Sequence, residues 1–167
     1  MFDFLRRGAK TEPPATADAV GVQSPVAGRL VPLADVPDPV FSGGLVGPGF
    51  AVDPADGTIS APIDGTVVTL PDSLHAVGIR HAGGVEVLVH VGVDTVGLKG
   101  RGFRALCSQG QQVRAGDPIL EVDLVAVGAA VPSLLTPVIV TSDAGGTVSD
   151  ADLAATAGTP VVLVRSS

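Results

Sequence analysis

The chain has no tryptophan and no tyrosine, and only five phenylalanines among 167 residues. Single-stranded nucleic acid is usually gripped by stacking its bases on aromatic rings, so that mode of binding is excluded. A deep sugar pocket, which commonly needs a flat ring as a platform, is excluded with it. Basic charge is scarce as well. Ten Lys and Arg face 17 Asp and Glu, a net charge of −7, which argues against a partner with a phosphate backbone. The lone cysteine, Cys107, cannot close an internal disulfide, so the fold rests on its core alone, as suits a reducing compartment. No apolar run approaches the roughly 20 residues of a membrane span. The opening "MFDFLRRGAK" lacks the apolar stretch of a signal peptide. A cytoplasmic protein is expected.

What is plentiful is valine, with 22 glycines and 14 prolines. That mixture favours short strands and tight turns over helices. Residues 1–22 read as a tail, of which "TEPPATADAVGV" (11–22) has the composition of a flexible linker. Ahead of it, Met1, Phe2, Phe4 and Leu5 would share one side of a helix, with Arg6, Arg7 and Lys10 on the other. Such a helix would touch an anionic membrane reversibly. The folded domain is expected from about residue 23 to residue 167, a length that buries a proper core. Strands are expected at 46–52, 75–80, 84–93, 118–122, 136–141 and 160–165. "SPVAGRLVPL" (24–33) and "SAPIDGTVVTL" (60–70) share one pattern and read as two related hairpin units packed together. "GFRALCSQG" (102–110) and "VAVGAAV" (125–131) are expected to hold single helical turns. The fold class is all-β: a compact antiparallel sandwich or flattened barrel of short strands, with an internal hairpin repeat and one or two short helical turns.

The chemistry gathers in "GGVEVLVHVGVDTVGLKG" (83–100). Val87, Val89, Val91 and Val93 recur with the period of a strand and are expected on one face. His90 falls on the other face with Glu86 and Asp94. Gly92, two residues on, is expected to leave room for a partner beside the ring. His75 opens "HAVGIR", whose antiparallel pairing with the His90 strand would set the two rings side by side, with Cβ atoms about 5 Å apart. His81 sits in the turn "HAGG" and reads as a solvated loop residue. Two imidazoles fill half of a zinc site. A zinc ion at His75 and His90 would need a carboxylate from a partner, so no tightly bound cofactor is expected. Alternatively the pair holds a phosphoryl group, one ring as nucleophile and the other as hydrogen-bond donor.

"GVEVLVHVGVDTV" closely resembles the phosphohistidine signature of the glucose-type enzyme IIA of the bacterial phosphoenolpyruvate-dependent sugar phosphotransferase system. The flanking "PVAGRL", "VPDPVFSGGLVGPGFAVDP", "APIDGTV" and "LTPVIV" resemble successive segments of the same family, so the likeness runs from about residue 23 to the C-terminus. It implies a monomeric β-sandwich phosphocarrier. Such a protein takes a phosphoryl group from the carrier HPr and passes it to a cysteine of the IIB domain of a sugar permease. By position, the resemblance makes His90 the phosphorylated residue and His75 the donor to the phosphoryl oxygens. Ser73 stands where the family usually has a threonine orienting that second ring. Val40, Phe41, Leu45, Val46 and Val96 are implied as an apolar docking patch, with Asp38 and Asp94 as carboxylates that meet an arginine of the carrier. Pro71, Val77 and Gly78 replace the aromatic residues common near His75, which implies a less bulky rim.

Two other classes compete. Carrier hairpins for biotin or lipoate need a lysine at a tight turn, but the only lysines are Lys10 and Lys99, and neither is so placed. A zinc peptidase of the lysostaphin type needs an H-x-H pair and a third ligand, which "VLVHVGVD" does not supply. A purely regulatory protein that docks onto target proteins is compatible with all of these residues.

Overall fold

The computed structural model describes residues 19–167. Thirteen short strands build three antiparallel sheets around one main core. They are β1 (Ala19–Gln23), β2 (Gly28–Pro32), β3 (Gly49–Pro54), β4 (Thr58–Ser60), β5 (Gly65–Thr69), β6 (Ala76–Arg80), β7 (Glu86–His90), β8 (Phe103–Ala105), β9 (Gln112–Val113), β10 (Pro118–Val122), β11 (Thr136–Ser142), β12 (Thr147–Val148) and β13 (Pro160–Arg165). The largest sheet runs β2-β3-β11-β7-β6-β5-β9, and two three-stranded sheets, β1-β13-β12 and β4-β10-β8, complete the fold. The all-β expectation holds.

The large sheet has two apolar faces, because successive side chains of a strand point to opposite sides. Phe50, Val52, Val87, Val89, Val138 and Val140 point into the main core. Their neighbours Val31, Ala51 and Ile139 point the other way and form a smaller cluster with Val36, Phe41 and Val93. His90 shares the face of that smaller cluster, since Val89 and Val138 are partners in the register and both belong to the main core. Val87, Val89 and Val91 are anchors, as the alternation implies. Val93 is buried as well, but not on their face: it belongs to the smaller cluster. The strand ends at His90, and Gly92 takes φ +72, so the two-residue period breaks between Val91 and Val93.

Three other expectations need correction, and one helix is new. Residues 19–22 are not linker, because β1 pairs along its length with β13. Their contacts are with the far end of the chain, which local composition does not register. "GFRALCSQG" holds strand β8 rather than a helical turn, paired to β10 through Phe103, Arg104 and Ala105. "VAVGAAV" does lie in a helix, α2 (Leu124–Ala130), capped by the Asp123 side chain on the Ala126 N–H at 3.0 Å. The earlier four-residue helix α1 (Pro39–Ser42) was not expected. The two repeated segments are not neighbouring hairpins either, since β2 and β5 are separated by four strands of the large sheet. Their starts do meet, through Ser60 N to Pro25 O at 2.6 Å and Gln23 N to Pro62 O at 3.0 Å. Each repeat also places its glycine against a partner strand: a Cβ at Gly28 would lie 2.1 Å from Asp53 O, and one at Gly65 2.3 Å from Arg80 O. The repeat is therefore one of backbone close approach. The proposed membrane-binding helix lies outside the described residues. Among the described residues, no helix is long and apolar enough to cross a membrane.

Candidate functional site

Register brings the two histidines together. Ala76 pairs with His90 across β6 and β7, and Val91 N–H donates to His75 O at 2.8 Å, so His75 stands one step beyond that pair. The rings are 5.1 Å apart between centroids and meet edge to face at 76°. Phe41 closes the other side of His90, with centroids 4.8 Å apart and an interplanar angle of 55°. Both histidines are half-buried on an otherwise open rim. A cleft of about 840 Å³ lined by Asp64, Arg80, His81, Arg114 and Asp117 contains neither of them. His81 spends its Nδ1 on the Gly83 N–H at 3.0 Å, which closes its own turn.

The hydrogen bonds assign the nitrogens. His90 Nδ1 lies 2.8 Å from Gly92 O. A carbonyl only accepts, so Nδ1 carries the proton and Nε2 keeps its lone pair. Gly92 thus has a different role from the one its small size suggests. Its left-handed backbone turns its own carbonyl back onto the ring two residues earlier. It does not leave an open space: a Cβ there would meet Thr95 Cγ2 at 2.9 Å and Ser133 O at 3.1 Å. Thr95, fully buried, fixes this turn by donating its hydroxyl to Val91 O at 2.6 Å, and Val93 N–H donates to Ser133 O at 2.9 Å. Thr95 belongs to the signature, but a sequence alone does not show that its hydroxyl closes the strand end. Ser133 carried no signal at all.

On the second ring, Ser73 Oγ lies 2.6 Å from His75 Nδ1. A hydroxyl can donate to that nitrogen, which leaves the proton on Nε2 and makes it a donor. Burial holds His75 below its ordinary 6.5, and positive charge on His90 lowers it further. Burial also lowers His90, against the opposing pull of its Gly92 bond and of the Asp38 and Asp94 carboxylates. Desolvation wins at both rings, so near neutral pH both are uncharged. With Ser73 as the donor to His75, one ring offers a lone pair and the other an N–H.

The rim is partly as expected. Val40, Leu45 and Val96 are exposed, at 45%, 79% and 57%, three of the five large apolar side chains exposed among the described residues. Val46 is half-buried against the smaller cluster. Phe41 is not a surface residue: only 6% exposed, it backs the His90 ring instead of presenting itself to a partner. Val77 and Gly78 are likewise buried inside β6, so they do not shape the rim. The two carboxylates differ. Asp38 caps α1 by accepting from Val40 N–H at 3.0 Å, whereas Asp94, exposed and left-handed at φ +61, makes no capping bond.

Residues 20–145 match the family model described as phosphoenolpyruvate-dependent sugar phosphotransferase system, EIIA 1. The chain belongs to this EIIA family. It is 41% identical over 138 residues to the glucose-specific EIIA component of Halalkalibacterium halodurans, covering 83% of this chain and 79% of that protein. It is 45% identical over 130 residues to the mannose-specific EIIBCA component of Corynebacterium glutamicum, covering 78% of this chain. The chain spans about a fifth, 19%, of that longer EIIBCA protein. Among solved structures, the glucose permease IIA from Mycoplasma capricolum superposes with a TM-score of 0.84 at 37% identity, covering 88% of this chain and 96% of that one. EIIA membership leaves the zinc-peptidase alternative without support. Among the described residues, no group of three or more His, Cys, Asp or Glu converges as metal ligands.

Proposed function

We propose that the chain is a cytoplasmic, monomeric phosphocarrier of the sugar phosphotransferase system, with His90 Nε2 as the acceptor of the phosphoryl group. The observation that carries this reading is the His90 Nδ1 to Gly92 O bond, which leaves the outward nitrogen with its lone pair. In the forward step that lone pair attacks the phosphorus of phospho-HPr. The new P–N bond forms as the carrier's P–N bond breaks, and the carrier imidazole leaves with the electron pair. His75 Nε2–H donates to a phosphoryl oxygen, while Ser73 holds the opposite nitrogen of that ring. In the second step a cysteine thiolate of a IIB domain attacks, and His90 leaves. The Nδ1 proton stays in place throughout, so the ring both attacks and departs as a neutral imidazole. A preformed strand end positions these groups better than a loop would.

Val40, Leu45 and Val96 supply the apolar contact, with Asp38 and Asp94 steering a cation on the donor. The EIIBCA names of the Corynebacterium relatives fit a IIB partner. The two histidines also fit half of a zinc site, completed by a partner's carboxylate. The decisive experiment uses phosphoenolpyruvate, enzyme I and HPr with radiolabelled phosphate. Label should enter the wild type and His81→Ala but not His90→Ala. Label persisting in His90→Ala would remove His90 from the acceptor role.

A further inference from the structure

Between Ser73 and His75 stands Leu74, at φ +55. A bulky residue rarely takes that left-handed conformation, and where one does, the surrounding structure must impose it. The other described non-glycine residues with positive φ are Asp94, Lys99 and Ala144, all in turns. Leu74 differs from them because its side chain packs against the main core. Its backbone is clamped on both sides. Leu74 N–H donates to Pro71 O at 2.9 Å, and His75 O accepts from Val91 N–H at 2.8 Å. Within those clamps the Ser73 hydroxyl reaches His75 Nδ1 across two residues, at 2.6 Å.

We infer that Leu74 is a positioning residue. Burial of its side chain holds a left-handed backbone that turns Ser73 onto His75 and so fixes which nitrogen of His75 faces His90. This inference rests on the phosphocarrier reading for its effect on rate, but not for its effect on the His75 ring. Without the apolar anchor only the two backbone hydrogen bonds oppose the strain. The backbone would relax, Ser73 would leave Nδ1, and His75 would sample both tautomers.

Three variants test this. Leu74→Ala removes the anchor but keeps a Cβ that disfavours the left-handed region. Leu74→Met keeps an apolar anchor of similar volume. Leu74→Gly takes the conformation freely but does not enforce it. Maximal phosphoryl transfer from phospho-HPr should fall roughly ten-fold in Leu74→Ala, short of the 10²–10³-fold cost of losing a donor outright. The half-saturating HPr concentration should not move. Leu74→Met should restore most of the rate, and Leu74→Gly should fall between. In a His75→Ala background, Leu74→Ala should have almost no further effect, because residues that act through one another are not additive. Ring-nitrogen NMR of the unphosphorylated protein should show one His75 tautomer in the wild type and a mixture in Leu74→Ala. Should Leu74→Ala not fold, Leu74→Gly against Leu74→Met makes the same comparison. An unchanged His75 tautomer, or a rate loss equally large with His75 absent, would overturn the inference. Wild-type protein that accepts no phosphoryl group would instead sink the carrier reading and leave the tautomer result standing.

Discussion

Replacing Gly92 by alanine tests the carbonyl clamp on His90 most directly. At φ +72 an L-residue costs about 1–2 kcal/mol. The new Cβ would also press on Thr95 Cγ2 at 2.9 Å and Ser133 O at 3.1 Å. Neither neighbour yields easily, since Thr95 is tied to Val91 O and Ser133 O already accepts from Val93 N–H. If the backbone shifts instead, the Nδ1 bond is lost, at about 0.5–1.5 kcal/mol. Together these give a destabilisation of about 2–3 kcal/mol. For a domain of this size that lowers the melting midpoint by about 5–10 °C. The chemical effect is separate: losing about 1 kcal/mol of bias toward the Nδ1–H tautomer shifts the tautomer ratio about five-fold. Phosphorylation by phospho-HPr, measured well below the new midpoint, should therefore slow in maximal rate, by no more than about five-fold. Ring-nitrogen NMR should show His90 as a tautomer mixture. If the midpoint falls but rate and tautomer stay as in the wild type, Gly92 serves the backbone alone. If only the half-saturating HPr concentration rises, Gly92 exists to admit the partner, and the clamp argument is refuted.

His75→Ala should keep the fold and lose roughly 10²–10³-fold in transfer; a wild-type rate to the IIB domain would remove His75 from the transfer step. The two rim carboxylates should separate. Asp94→Asn should slow association with HPr at low salt without changing stability, and the defect should fade near 1 M salt, where the Debye length is about 3 Å. Asp38→Ala should add a stability loss of about 1 kcal/mol from the missing cap, which Asp38→Asn should spare; identical melting of the two would show that the cap contributes nothing. Because burial lowers both active-site histidines below 6.5, the unfolded chain binds more protons once pH falls beneath that value. Stability should decline from about pH 6.5 downward through the folded values. Urea midpoints at about pH 7.5 and 5.5 should show the fall, and His75→Ala/His90→Ala should flatten it.

Much of this was legible in the sequence because it depends on local period. The valines at 87, 89 and 91 announce a strand with one buried face, and the residues around His90 carry the family signature. What escaped depends on backbone conformation or distant partners. Phe41 read as surface because the four-residue helix that turns it inward is too short to leave a periodic trace. Val93 read as sharing the face of Val91 because the break at Gly92 is one of φ, not of composition. β8 is three residues long and exists through pairing with β10. β1 reads as linker until β13, some 140 residues later, is set beside it.

That last pairing bears on how the domain joins others. Ala19 faces Arg165 in the register, so both ends of the described chain emerge from one corner of one sheet. Paired residues of antiparallel strands lie about 4.5–5.5 Å apart. A tether fixed to either end would swing the histidine rim through nearly the same arc. Order along a polypeptide and arrangement in space are then decoupled: Ala19 and Arg165 offer a neighbouring domain the same corner. Closing the two ends with a short loop and opening the chain at the exposed turn 143–146 would leave every sheet contact of the rim in place. Thr147, just past that turn, also faces Arg165, so such a circular permutant keeps its points of attachment at the same corner and the two rings stay where they are.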